Sequence, residues 1–548
     1  MYDYVIVGAG SAGCVLAARL SENPSARVLL LEAGPPDDAL EIKIPAALNR
    51  LWQSAYDWGY RTVPQDRADG RSVYWPRGRV IGGSSSINAM IYIRGNACDY
   101  NTWRDEFGCD GWGYHDMLPY FLRAERNSRG ASVYHGGSGP LWVSDPKFKS
   151  PATVAFVESA VNAGAGANPD FNGASQDGVG FYQVTQYGGR RWSAADAYLH
   201  PAMGRPNLTV LTDALATGVI IERGKARGVR YLHRGEEHEA RADAEVILSG
   251  GAINSPQLLM LSGIGPAEHL REHGIRVIAE SPGVGANLSD HPIVTAIWST
   301  PKLRSLAAAD SAANVMRWQL THTGPMTTNI AQAGGFARSQ PALAAPDIQW
   351  HVLPLPFRDG GLADPDPAER AMSVLVTLLD VRSTGRITLR SSDPRHKPAI
   401  DPAYLSDAAD TEVLMRAVRM VREIADARPL RKMWRSEVSP GLDVRSDSAL
   451  REFIRHDVTT IYHPVGTCAM TGPSQLDASR LAGVVDTELR VHGVEGLRVA
   501  DASVMPTVPR GNTNAPTIAI AERAADLISG RAPLAAVEPG DLEFAAAL

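Results

Sequence analysis

Three glycines and one acid near the start of the chain carry the first chemistry it offers. Tyr4-Val5-Ile6-Val7 leads into Gly8-Ala9-Gly10-Ser11-Ala12-Gly13, and Glu32 closes the next apolar run. Each position has its own physical reason. Gly8 permits a tight turn, Gly10 lets backbone approach a pyrophosphate, and Gly13 lets a helix pack closely on a strand. A helix expected at 14–20 would point free N–H groups and the positive end of its dipole at phosphate. Glu32 lies 19 residues past Gly13, near the ~20 that puts an acid on a ribose. In a loop the glycines would make only a turn. With strand, helix and acid in place, they predict a dinucleotide site and leave the dinucleotide open.

Two later stretches repeat the theme. Gly82-Gly83-Ser84-Ser85-Ser86-Ile87-Asn88-Ala89-Met90 puts two glycines and three hydroxyls ahead of an apolar, helix-like run, where small groups could meet a phosphate or a ring edge. Val246-Ile247-Leu248 reads as a buried strand entering Ser249-Gly250-Gly251. Ser255 and Pro256 then look like the N-cap and first residue of a helix over 257–261.

The elements that must position these residues suggest more than one core. At 548 residues the chain predicts two or three domains of ~100–200 residues. Residues 37–78 read as loops over the cofactor, and 219–222 with 228–232 as a hairpin. Alternation at 347–353, 373–379 and 386–389 predicts a more antiparallel sheet, and 412–424 has helical spacing. A strand at 497–500 and a helix at 516–528 return to the first unit. The expected fold class is α/β, a Rossmann-like dinucleotide domain with a second α+β substrate domain on a mainly antiparallel sheet. The first comprises 1–150, 201–300 and 451–530, the second 151–200 and 301–450, and the Ala-rich 531–548 is expected to be a poorly packed tail.

Composition excludes some classes. A formal charge of −6 is no electrostatic footprint for nucleic acid. Cys14, Cys98, Cys109 and Cys468 are scattered without a C-x-x-C pair, which argues for buried thiols in a reducing compartment and against a zinc ribbon. No metal set is expected. The first strand leaves no room for a signal peptide, and no run of ~18 apolar residues could span a bilayer. A cytoplasmic protein is expected, with peripheral contact at the inner membrane left open.

Together the motifs resemble one family, the glucose–methanol–choline (GMC) flavin oxidoreductases. Besides the first turn and Glu32, the matching pieces are RGRVIGGSSSINAMIYIRG (77–95), GAINSPQLLMLSGIG (251–265), YHPVGTCAM (462–470) and LRVADASVMPTVPRGNTNAPT (497–517). They follow the family's order along nearly the whole chain. Within it the chain is most similar to the bacterial choline-dehydrogenase-like group, especially aliphatic alcohol dehydrogenases, and also to hydroxymethylfurfural oxidases. The resemblance implies FAD rather than NAD. It assigns the ADP half to Gly8, Gly10, Gly13 and Glu32. Gly82, Gly83, Ser84 and Asn88 would lie along the pyrophosphate and isoalloxazine, the Val219 backbone at the adenine, and Asp501 and Ala502 near the pyrophosphate and ribityl chain; Ser11, Ala12, Ala33, Arg79, Ala89, Asn512 and Thr513 are further expected cofactor contacts. Some members tether FAD through a histidine after the paired glycines; this chain has Ile87 there, which implies non-covalent FAD.

Alcohol oxidation needs a base for the hydroxyl proton and an acceptor for the hydride, and a neutral imidazole is the usual base near neutral pH. His463 matches the family's catalytic histidine; by itself it would read as a core histidine before a proline. Asn514 matches the position opposite, where asparagine could orient a substrate oxygen but not take its proton. It could equally cap a helix whose positive end faces the flavin's pyrimidine edge. Asn512 is a lesser candidate for either task. His291 reads as structural, and His351 could face the pocket or the core. Gln332 stands where related dehydrogenases often have an acid, which weakens choline and favours a neutral alcohol. The expected activity is FAD-dependent oxidation of a primary alcohol to the aldehyde, the hydride going to flavin N5 and electrons on to a quinone, another carrier or oxygen. A hydroxynitrile lyase retaining FAD, or a choline dehydrogenase, are the alternatives.

Overall fold

A computed structural model describes residues 1–363, 366, 368–473 and 481–537; the last part of the expected tail, 538–548, lies outside the described residues. The chain opens with β1 (Tyr2–Val7), α1 (Ser11–Leu20) and β2 (Val28–Leu31). β2 is Val-Leu-Leu-Leu with all four residues buried, as a parallel strand covered on both faces requires. Val5 pairs with Leu29 on one side and Val246 on the other. Each such side chain contributes roughly 1.5–3 kcal/mol by leaving water, so the central position of β1 follows from its apolar half.

β3 (Leu208–Leu211) extends this sheet beyond β2. On the other side β4 (Ala214–Glu222), β5 (Lys225–His233) and β6 (Glu236–Leu248) form an antiparallel meander. Helix α2 (Gly251–Leu261) leaves β6, and much later β7 (Leu497–Val499) adds beside β6 ahead of α3 (Asn514–Ile528). The order is β3-β2-β1-β6-β5-β4, with β7 also on β6. Connections diverge at β1 and β6, so the crevice beyond their carboxyl ends is the natural ligand site of such a sheet.

A second sheet has the order Ser436–Ser439, Pro292–Ser299, Ala371–Leu378, Ile348–Leu353, Ala333–Ala337, Gly178–Phe181, every pairing antiparallel. Thr459–Thr460 also pairs with Pro292–Ser299. Two strands of this sheet thus come from spans read as part of the first unit, 201–300 and 451–530. The strand Arg386–Thr388 is not in it, pairing instead with Ala399–Asp401.

Two local readings need correction. Residues 82–90 form one 3-10 turn, Gly83–Ser86, not a helix. The hydroxyls of Ser85 and Ser86 donate to Gly82 O and Ile81 O at 2.6 and 2.7 Å, competing with helical bonding. Ser255-Pro256 does not start a helix: α2 begins at Gly251 and runs through Pro256. Proline cannot bond the carbonyl four residues back, and Thr467 Oγ1 donates to that carbonyl, Ala252 O, at 2.6 Å instead. The described start of the tail is mostly exposed but anchored at two points: Val537 N donates to His115 O at 3.1 Å, and Leu534 N to Tyr120 Oη at 3.1 Å.

Candidate active site

One cavity runs past the carboxyl ends of β1, β6 and β7 and reaches the second sheet; Gly8, Ser249, Asp501, His351 and Leu353 all line it. Its first end is built from the glycine turn. A Cβ at Gly8 (φ +97°) would lie 2.6 Å from Ser249 O, and one at Gly13 would lie 1.8 Å from Gly8 O. A Cβ at Gly10 would meet nothing within 4 Å, so this glycine faces open cavity. No side chain caps α1, leaving its first N–H groups free for an anion.

Glu32 is 5% exposed. Its Oε2 accepts Ala9 N and its Oε1 accepts Gly34 N, both at 2.8 Å. Burial pushes this carboxyl up to about 7, against the pull of those two N–H groups. Across the crevice Asp501 accepts Ser255 Oγ at 2.5 Å and Gly251 N at 2.8 Å. Glu32 and Asp501 are the carboxylates among the described lining residues.

The second end is organised around His463, 7% exposed. Tyr462 before it takes φ +72°, a strained conformation for a bulky residue. Several bonds hold it: Tyr462 N donates to Thr460 Oγ1 (2.6 Å), Tyr462 Oη to Gly360 O (2.6 Å), and Arg77 Nη2 to Tyr462 O (2.7 Å). Asp290 Oδ1 accepts His463 N at 2.7 Å while its Oδ2 accepts Thr460 Oγ1 at 2.6 Å. The ring is held at both nitrogens. Nε2 lies 3.1 Å from Asn512 Nδ2, and Nδ1 lies 3.0 Å from His291 Nδ1. With the amide nitrogen toward the ring, Nε2 must accept, so Nδ1 carries the hydrogen and gives it to His291. Burial, reinforced by the neighbouring histidines, holds His463 well below the usual imidazole range, and burial pushes His291 and His351 down to about 3. All three are neutral at pH 7.

Models of the GMC oxidoreductase family match residues 2–293 and 381–521. The chain belongs to the GMC oxidoreductase family. It is 46% identical to mitochondrial choline dehydrogenase of Mus musculus, covering 97% of this chain and 90% of that one. It is 44% identical to the alcohol dehydrogenase [acceptor] of Pseudomonas putida, covering 98% and 97%. Among solved structures, pyridoxine 4-oxidase from Mesorbium loti superposes with a TM-score of 0.88 at 34% identity, covering 97% of this chain and 100% of that one.

In this GMC oxidoreductase Gly8, Gly10, Ser11, Ala12, Glu32, Ala33, Gly83, Ser84, Asn88, Ala89, Asp501, Ala502, Asn512, Thr513, Asn514 and His463 line the cavity. Gly13, Arg79, Gly82 and Val219 are not among the described lining residues. Gly82 N instead donates to Ala9 O at 2.7 Å, tying the two glycine turns together. Arg79 stacks 5.5 Å over the Trp58 ring, and its charge acts on Glu32. Val219 N donates to Ser262 Oγ at 2.8 Å, and Ala214, Leu215 and Ala216, earlier on β4, line the wall.

The pairing opposite His463 also needs correction. Asn514 Oδ1 accepts Ser11 Oγ at 2.7 Å, so this side chain faces the glycine turn. It does not cap the helix either: it is the first helical residue, after Thr513. Asn512, two residues earlier and outside the helix, faces the imidazole. Gln332 is fully buried away from the cavity, accepting Ser150 N at 2.8 Å and donating to Phe148 O at 2.9 Å; its identity says nothing about substrate charge. His351 does line the cavity, with its Nε2 buried and unpartnered. His291, read as structural, is the neighbour of the candidate base. The Asp290-His291 pair was findable only as a dipeptide whose two side chains reach the backbone and ring of one distant residue.

Proposed function

We propose that this protein is an FAD-dependent oxidoreductase of a neutral primary alcohol, with His463 as the base and Asn512 as the group orienting the hydroxyl. The observation that carries the reading is the accepting Nε2 of a buried neutral imidazole, paired with an amide N–H at the cavity wall. An alcohol oxygen that displaces the direct Asn512–His463 contact gives its proton to His463 Nε2 and accepts from Asn512 Nδ2. The fixed donor at Nδ1 keeps Nε2 in its accepting form. The empty space at Gly10, the uncapped start of α1 and the Glu32 carboxylate fit the pyrophosphate and ribose of FAD, with Asn514 and Ser11 bracing that end. FAD, when bound, supplies the hydride acceptor.

Cofactor attachment is non-covalent in this reading, because the side chain after the paired glycines is Ile87, which lines the cavity with no nucleophile. Acid precipitation is expected to leave the yellow colour in the supernatant; colour in the pellet overturns it. A neutral alcohol is supported by the apolar lining that accompanies the histidines, Leu353, Leu355, Phe357 and Ile461, and by the only acidic described lining residues being Glu32, at the glycine turn, and Asp501, bonded to Ser255 and Gly251. Electrons leave to a quinone, another carrier or oxygen.

The test is anaerobic mixing of the purified protein with a panel of neutral primary alcohols and with choline. Bleaching of the flavin by the neutral alcohols is expected. Flavin that stays oxidised throughout sinks the redox reading, and bleaching by choline alone sinks the neutral substrate. Reoxidation by air or by a quinone analogue then identifies the acceptor.

A further inference from the structure

Arg191, on the short strand Arg190–Arg191, is 1% exposed and has no carboxylate partner among the described residues. Its bonds end on three neutral oxygens: Ile42 O at 2.9 Å, Ser85 O at 3.1 Å and Asn88 Oδ1 at 2.8 Å. Nη2 is buried without an acceptor. Arg94, equally buried, shows the ordinary solution, with Glu125 at 2.6 Å.

The acid whose field reaches Arg191 is Asp196, and it is already balanced. Lys43 lies 2.9 Å from Asp37 and 3.0 Å from Asp196, and His200 lies 2.9 Å from Asp37 and 3.5 Å from Asp196. These contacts raise His200 to about 9, so two cations face two carboxylates and Arg191 is left over. Its burial pushes the guanidinium down to about 9. An unpaired buried charge is costly enough to need an anion that the protein does not supply.

The groups Arg191 holds lead to the cavity. Asn88 Oδ1 accepts both Arg191 Nη1 and Met90 N, the latter at 2.9 Å. A guanidinium only donates, so the amide oxygen points at Arg191 and Nδ2 is left for the cavity that Asn88 lines. Ser85 belongs to the turn whose Gly83 abuts the first glycine turn; a Cβ at Gly83 would lie 2.6 Å from Gly10 Cα.

We propose that Arg191 is a positioning residue for the cofactor pyrophosphate: a buried cation whose charge is balanced only when that anion is bound, and which aims the Asn88 amide at it. The inference rests on the FAD reading above and adds a residue behind the wall.

The test uses Arg191→Met and Arg191→Lys in the purified flavoprotein. It measures FAD dissociation by flavin fluorescence, competition by ADP, the midpoint potential of the bound flavin, and the thermal midpoint with and without saturating FAD. Arg191→Met is expected to weaken FAD and ADP at least tenfold, with Arg191→Lys between it and the wild type. The midpoint potential is expected to stay unchanged, because pyrophosphate charge is the same in both redox states. The FAD-free thermal midpoint is not expected to fall. Unchanged FAD affinity overturns the proposal. So does a lower midpoint potential with intact affinity, which would assign the charge to the reduced ring, and so does an equal loss of thermal midpoint with and without FAD. If Arg191→Met does not fold, wild-type affinity in Arg191→Lys overturns it. Wild-type protein that takes up no FAD removes the proposed function and this inference together; wild-type protein that binds FAD isolates the inference.

Discussion

His291 Nδ1 lies 3.0 Å from His463 Nδ1, with the two rings 86° apart. One nitrogen must donate and the other accept, so the pair selects a tautomer rather than merely filling space. A hydrogen bond of this kind is worth about 1 kcal/mol, a rate factor of roughly five to ten. His291→Ala is expected to retain FAD and to slow anaerobic flavin reduction by about that factor. His463→Ala, which removes the base, is expected to slow it by roughly 10²–10⁴. Stopped-flow absorbance checks both; equal rates in the two variants would show that the pair acts only as a structural unit.

The two asparagines separate cleanly. Asn512→Ala removes the donor at the alcohol oxygen and is expected to cut flavin reduction at least tenfold at unchanged FAD content. Asn514→Ala breaks the contact with Ser11 and is expected to leave the reduction rate within about threefold while weakening FAD binding. Reduction rate and FAD content measured on both variants decide it, and the reverse pattern would restore Asn514 to the substrate side.

Glu32 is expected to retain the cofactor. Hydrogen bonds to a charged group are worth about 1.5–3 kcal/mol, so Glu32→Ala should release FAD on gel filtration, with a dissociation constant raised roughly 10- to 150-fold. An unchanged flavin-to-protein ratio would remove the carboxylate from the ribose.

Three buried histidines give stability a pH dependence of known sign. His291, His351 and His463 stay neutral in the fold well below their usual range, whereas in the unfolded chain they protonate near 6.5. The unfolded state therefore binds more protons below pH 6.5, and stability falls as pH drops through that point, by about 1.4 kcal/mol per pH unit for each such group. Glu32 and Asp457, raised by burial to about 7 and about 6, oppose this. They bind protons in the fold that the unfolded chain has already lost, so their contribution falls as pH rises from about 4.5. A difference measurement isolates one group: His351→Asn should lose less stability than the wild type between pH 6.5 and 5. Parallel curves from denaturant titrations would contradict the neutral state of His351.

What was legible in the sequence had several independent constraints at fixed spacing. The first turn has three glycines, each with a separate steric reason, and an acid at the next strand end, and the turn and acid are found as read. The helix over 412–424 was visible from its period and extends to Ala408–Asp426, capped by Asp407. The misreadings share a cause: bonds supplied from far along the chain. Pro256 looked like a helix start because the partner that replaces its missing N–H bond is Thr467. Asn514 was ranked above Asn512 because the helix start at 514, which decides which one turns to His463, is not marked in the sequence. The strand Pro292–Ser299, which pairs in the second sheet, lies inside the span 201–300 read as the first unit, because the chain changes sheets there without a compositional break.

The contact from Ser11 to Asn514 joins residues 503 positions apart, and β7 enters the first sheet only at Leu497–Val499. During synthesis the glycine turn is made well before the other wall of its crevice. A nascent chain of 490 residues would have β1, β2 and β6 but neither Asp501 nor α3. The crevice is therefore complete only once the segment through α3 has been made, and until then the edge of β6 that receives β7 lacks its final neighbour.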